Sequence, residues 1–150
     1  TQEGRCAHIE KKELHMKKTP AIALAICAAV AGLSGAVSAD PALKDVAHVR
    51  EGLIATGMAV ELSNRCSSIS PRRIRGINYL FSLRKNAFDL GFSRAEVDAY
   101  VNDKTEENRL IEIAYGRLRE LGTVAGDEAS YCAVGRGEIA KGNAIGRLLR

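Results

Sequence analysis

Residues Met16 to Ala39 most constrain what this chain can fold into, because they read as an export signal and leave only the later residues to build a domain. Met16-Lys17-Lys18 is a short positive start, and Ala21 to Leu33 is an uncharged apolar run. Val37-Ser38-Ala39 then places small side chains just before Asp40, as cleavage after Ala39 requires. Thr19 to Ala39 is barely long enough to span a bilayer, and from Gly32 onward it is too small and polar for an anchor, so it reads as cleaved. Residues 1–15 are polar, lack an apolar period and read as a translated leader. The expected organisation is therefore leader 1–15, signal peptide 16–39 and one helical domain 40–150, located in a bacterial periplasm.

Beyond residue 39 the chain carries 17 Lys and Arg against 15 Asp and Glu, so the pI near 9.0 owes much to the N-terminal segment. A balance this even excludes the broad positive field of a nucleic-acid binder. Two cysteines remain, Cys66 and Cys132. An even pair in an oxidising compartment implies one disulfide, closing a long loop worth about 4 kcal/mol of chain entropy. A redox pair or zinc site needs closer spacing or more ligands, so no metal is expected.

Apolar residues recur at helical spacing and never alternate, which predicts an all-α fold: a small four-helix bundle with one disulfide. Asp40-Pro41 reads as a cap and first-turn proline for a helix to about Arg65, with an apolar face of Leu43, Val46, Val49, Leu53, Met58 and Leu62. Ser70-Pro71 reads as the same device for a second helix, with Ile74, Ile77, Leu80, Phe81 and Phe88 toward the core and a glycine stop at Gly91. Ser93 to Glu96 is a capping box for a third helix to about Leu121, whose polar stretch 102–109 invites a kink or break. Asp127 caps a fourth segment running to Leu149 and diluted by four glycines.

Several motifs tempt a catalytic reading without completing it. Gly135-Arg136-Gly137-Glu138-Ile139-Ala140 matches a dinucleotide-binding pattern, but no strand precedes it and too little chain follows. Ser82 and Lys85 match S-x-x-K, yet the partner motifs of penicillin-recognising enzymes are missing. Asp103, Glu106, Glu107 and Glu112 form an acidic strip, but the chain has no Trp to make a sugar platform. His48 is the sole histidine after residue 39, which leaves no triad to assemble. No catalytic residues and no cofactor are expected. The feature left over is basic: Arg65, Arg72, Arg73 and Arg75 gather around the first inter-helix turn. Arginines at a helix start oppose its dipole, which leaves two readings: docking on anionic headgroups or an acidic partner, or a solvated cluster countered by nearby acids such as Glu61.

The run Gly91-Phe92-Ser93-Arg94-Ala95-Glu96-Val97 leading to Tyr100-Val101, the lone Cys66, and Tyr131-Cys132 near a glycine-bearing end resemble a small exported bacterial family, Domain of Unknown Function 5333. Its members are sometimes labelled as a component of NADH dehydrogenase. That label does not carry over as chemistry, because the true component holds its iron–sulfur cluster with four cysteines. The resemblance implies a non-enzymatic periplasmic interaction or accessory protein associated with respiratory NADH:quinone oxidoreductase. Its expected partner is a protein, with contact to the membrane surface and none to nucleic acid. The alternative is an acid- or stress-responsive periplasmic chaperone, similar to small one-disulfide helical bundles of that kind.

Overall fold

Among the described residues every regular element is a helix, joined by turns that the local residue chemistry explains. A computed structural model describes residues 42–150; the expected leader, signal peptide and Asp40-Pro41 cap lie outside the described residues. Leu43–Asp45 is a single 3-10 turn, and Val46, with ψ of 99°, resets the chain before α1 (Ala47–Arg65). Then come α2 (Arg73–Asp89), α3 (Arg94–Val101), α4 (Lys104–Glu120) and α5 (Glu128–Lys141), with a second 3-10 turn at Gly146–Leu148. The described residues fall within one compact unit, contain no strand, and include no helix long and apolar enough to cross a membrane.

Among the described residues the count is five α-helices rather than the expected four. The single third helix divides at Asn102 and Asp103, because the Asp103 carboxylate accepts from the Thr105 and Glu106 amides and so caps a new helix. Upstream, the capping box forms as read: Ser93 Oγ accepts from the Glu96 amide while the Glu96 carboxylate accepts from the Ser93 amide. Gly91 ends α2 at φ 96°, with the Phe92 amide reaching back to the Ala87 carbonyl and the Gly91 amide to that of Phe88. This left-handed turn is easiest for glycine. The last segment also differs: α5 stops at Lys141, and residues 143–150 fold back instead of extending the helix.

Ser70-Pro71 does not cap α2. Arg72 precedes the helix and makes no side-chain cap bond. Instead Pro71 forms an antiparallel bridge with Leu149, in which the Ser70 amide donates to the Arg150 carbonyl and the Arg72 amide to that of Leu148. Proline is tolerated there because the flanking residues carry the bonds, and its missing N–H is not needed.

The main core joins Ile54, Met58 and Leu62 of α1 to Leu110, Ala114 and Leu118 of α4, closed by Ile69, Leu148 and Leu149. Spacing of four residues puts each trio on one stripe. Leu62 and Leu149 are wholly buried; burial of such a side chain stabilises by about 1.5–3 kcal/mol. A smaller cluster of Leu43, Val49, Ala87 and Val97 ties the N-terminal turn to α2 and α3. The Cys66 and Cys132 sulfurs are 1.99 Å apart, disulfide bonding distance, and join the end of α1 to the start of α5.

Candidate functional site

The apolar face expected to bury α2 is turned outward. Ile74 is 74% exposed, Phe81 62% and Ile77 50%, with Leu80 and Phe88 also exposed, whereas Leu83 is 2% exposed. At about 100° per residue, Ile74, Ile77, Phe81 and Phe88 share one stripe, and Leu83, Ala87 and Tyr79 lie roughly opposite. Gly52 of α1 decides between the two faces, since a β-carbon there would sit 2.6 Å from Leu83 Cδ2. The bare backbone lets Leu83 pack closer to α1 than a side chain would allow.

The arginines divide between two places. Arg72, Arg73 and Arg75 line an open depression of about 700 Å³ with Ile74, Asn78, Ser70, Pro71 and Arg150. Among the described residues none of these three arginines makes an ion pair. Arg65 lies elsewhere, bonded to Glu61 at 2.9 Å beside Tyr115 and Tyr131. Further along α2, Arg84 pairs with Asp98 and Lys85 with Asp89, so the C-terminal half of the helix is largely neutralised. Unpaired positive charge is concentrated at the N-terminal end of α2, beside the outward apolar stripe.

The acidic strip does not act as one. Asp103 is a cap, Glu107 bonds Lys104, and Glu106 is 8% exposed. The Glu106 carboxylate accepts from Arg109 Nε at 2.7 Å, Arg109 Nη2 at 2.6 Å and the Tyr100 hydroxyl at 3.4 Å. The Arg109 hydrogen bonds, against the upward push of burial, hold Glu106 below the usual carboxylate range. Burial first, and then the neighbouring Glu106 charge, push Tyr100 up to about 12.

Two further glutamates were not singled out from the sequence. Glu138 is 3% exposed; burial pushes its pKa up, but hydrogen bonds from Lys141 and Asn143 prevail and leave it lowered. Glu51 accepts from both terminal nitrogens of Arg117, which joins α1 to α4 and lowers its pKa. The i,i+3 spacings Glu106–Arg109 and Glu138–Lys141 were a readable signal for two of these pairs.

The tempting motifs fall into structural roles. Ser82 Oγ donates to the Tyr79 carbonyl and Lys85 holds Asp89, so S-x-x-K is ordinary helix surface. Gly135 to Ala140 lie inside α5, where a β-carbon on Gly135 would overlap Ile69 Cδ1. His48 is exposed on α1. Cys66, Cys132 and Glu128 bring three donors of metal-binding type within 4.8 Å of one another. The two sulfurs are at bonding distance from each other, and Glu128 accepts from the amide and hydroxyl of Ser67 at 2.9 and 2.6 Å. Neither sulfur is thus the free thiolate a metal needs.

This architecture, a five-helix unit with a cysteine pair joining α1 to α5, coincides with a known sequence family. Residues 41–150 match a family of unknown function, DUF5333. The chain belongs to that family. No curated protein and no solved structure matches it. The DUF5333 match begins one residue before the first described residue and runs through the C-terminal fold-back on Pro71. The whole helical unit is therefore the family's domain.

Proposed function

We propose that this DUF5333 protein is a non-enzymatic accessory protein of the bacterial periplasm, docking at a membrane-bound respiratory complex, NADH:quinone oxidoreductase. The observation that carries the reading is the outward face of α2: Ile74, Ile77 and Phe81 stand in solvent beside Arg72, Arg73 and Arg75. A face that is both apolar and unpaired in charge gains stability when another surface covers it. The periplasmic assignment draws on the signal-like run Met16 to Ala39 and on the Cys66–Cys132 pair, a bond favoured in oxidising compartments. Arg65, on its own depression with Glu61, is a secondary contact.

Tagged protein isolated from gently solubilised membranes tests this. Recovery of the respiratory complex with the wild type, and its loss with Ile77→Ser/Phe81→Ser, is the expected result. Recovery of the tagged chain alone would count against it. The chaperone alternative draws on a different observation, the buried carboxylates Glu106 and Glu138, whose protonation in acid weakens their ion pairs and loosens the fold. It calls for suppression of client aggregation at about pH 2–3 and none at neutral pH.

A further inference from the structure

The outward face of α2 has the layout of a helix that lies in a lipid interface. Its apolar stripe runs through Ile74, Ile77 and Phe81, about 10 Å along the axis of a helix about 25 Å long. Basic side chains border it on both sides: the unpaired Arg73 and the Asp98-bound Arg84 follow the edge nearest Ile77, and the Asp89-bound Lys85 the edge nearest Ile74. Long basic side chains so placed keep their charge at headgroup level while the residues between them sink among acyl chains. The surface is the convex side of a helix rather than a groove, which suits a bilayer better than a partner's ridge. At its N-terminal end Arg72, Arg73 and Arg75 make no ion pair among the described residues, and no acid occurs from Arg72 to Phe88, so a second copy laid against that end would set like charges together. Charge complementarity favours an anionic occupant.

We infer that α2 docks this protein on an anionic membrane surface, with Ile74, Ile77 and Phe81 entering the headgroup–acyl boundary and Arg72, Arg73 and Arg75 on lipid phosphates. The assignment rests on the reading of this face as the docking surface, and names what first covers it. Arg150 adds a fourth guanidinium to the same depression. No side chain caps the start of α2, the end that carries the arginines, in keeping with a negatively charged headgroup there.

Co-sedimentation with vesicles tests it, using residues 40–150, a span that contains every described residue of the compact unit and omits the apolar run 19–39. Vesicles of equal phosphatidylglycerol and phosphatidylethanolamine should bring the protein down, and pure phosphatidylcholine vesicles should not. Arg73→Gln/Arg75→Gln should weaken binding about fivefold for each charge removed and flatten its dependence on salt. Ile77→Ser/Phe81→Ser should weaken it by about tenfold or more. All four side chains are exposed, so circular dichroism should show both variants folded.

Equal binding to neutral vesicles, or none to either kind, would overturn the assignment, as would self-association lost in the Ile77→Ser/Phe81→Ser variant. If vesicles fail while that variant still loses the respiratory complex, the lipid assignment falls and the docking reading stands. If neither changes, both fall.

Discussion

Gly146 lies directly against the backbone of Glu138: a β-carbon at 146 would overlap the Glu138 carbonyl group. The same contact is clasped from the side, since Asn143 donates to the Glu138 carboxylate and accepts from the Gly146 amide at 2.9 Å. Backbone cannot yield as a side-chain tip can. Gly146→Ala should therefore lower stability by about 1–3 kcal/mol or more, read in urea denaturation. Gly57→Ala is the control, because its new β-carbon would meet Ala114 Cβ at an ordinary 3.6 Å. It should be neutral or stabilising by up to about 1 kcal/mol.

The two faces of α2 make opposite predictions. Leu83→Ala removes a buried side chain packed on Gly52 and should cost about 2–5 kcal/mol. Ile74→Ser and Ile77→Ser on the outward face should stay within about 0.5 kcal/mol of the wild type. Thermal melts of the three variants check this; similar losses in all would mean that the helix is rotated.

Acid should destabilise the fold, with a sign fixed by the ion pairs. Glu51, Glu106 and Glu138 each have a folded-state pKa below the ordinary 4.5. The unfolded chain thus binds more protons in that range, so stability is full above about pH 4.5 and falls as pH drops through the lowered values. Tyr100 acts at the other end. Its pKa is raised from 10.0 to about 12, so its contribution is complete below pH 10 and lost as pH climbs toward 12. Urea midpoints from pH 2 to 12 check both limbs, and Glu106→Gln should flatten part of the acid limb.

Reducing Cys66–Cys132 should remove about 2–4 kcal/mol of stability, since the bond spans 66 residues of chain. Melting with and without reductant measures it. Cys66→Ser/Cys132→Ser should match the reduced protein and be indifferent to reductant.

What could be read in the sequence was local chemistry. The capping box at Ser93, the cap at Asp127, the glycine stop at Gly91 and the two paired cysteines all act within a few residues or through a unique partner. Two things were not readable. α2 is apolar on more than one side, so its period alone could not say whether Leu83 and Ala87 or Ile74 and Phe81 face the core; Gly52, on another helix, makes that choice. Ser70-Pro71 imitates a helix start, but its partners are residues 148–150, far along the chain. The Asp103 cap was within reach, since an aspartate followed three residues later by Glu106 marks a new helix. As for the candidate site, Arg72, Arg73 and Arg75 were legible as a group, while the separation of Arg65 from them needed the fold.

The link between α1 and α2 is fastened at three points: the sulfur pair at Cys66, the Glu128 carboxylate on Ser67, and the backbone bonds of Ser70 and Arg72 to residues 148–150. The arginine-bearing end of α2 is thereby preorganised before it meets anything. Little conformational entropy remains to be lost on contact, so even a modest contact area can hold the protein in place.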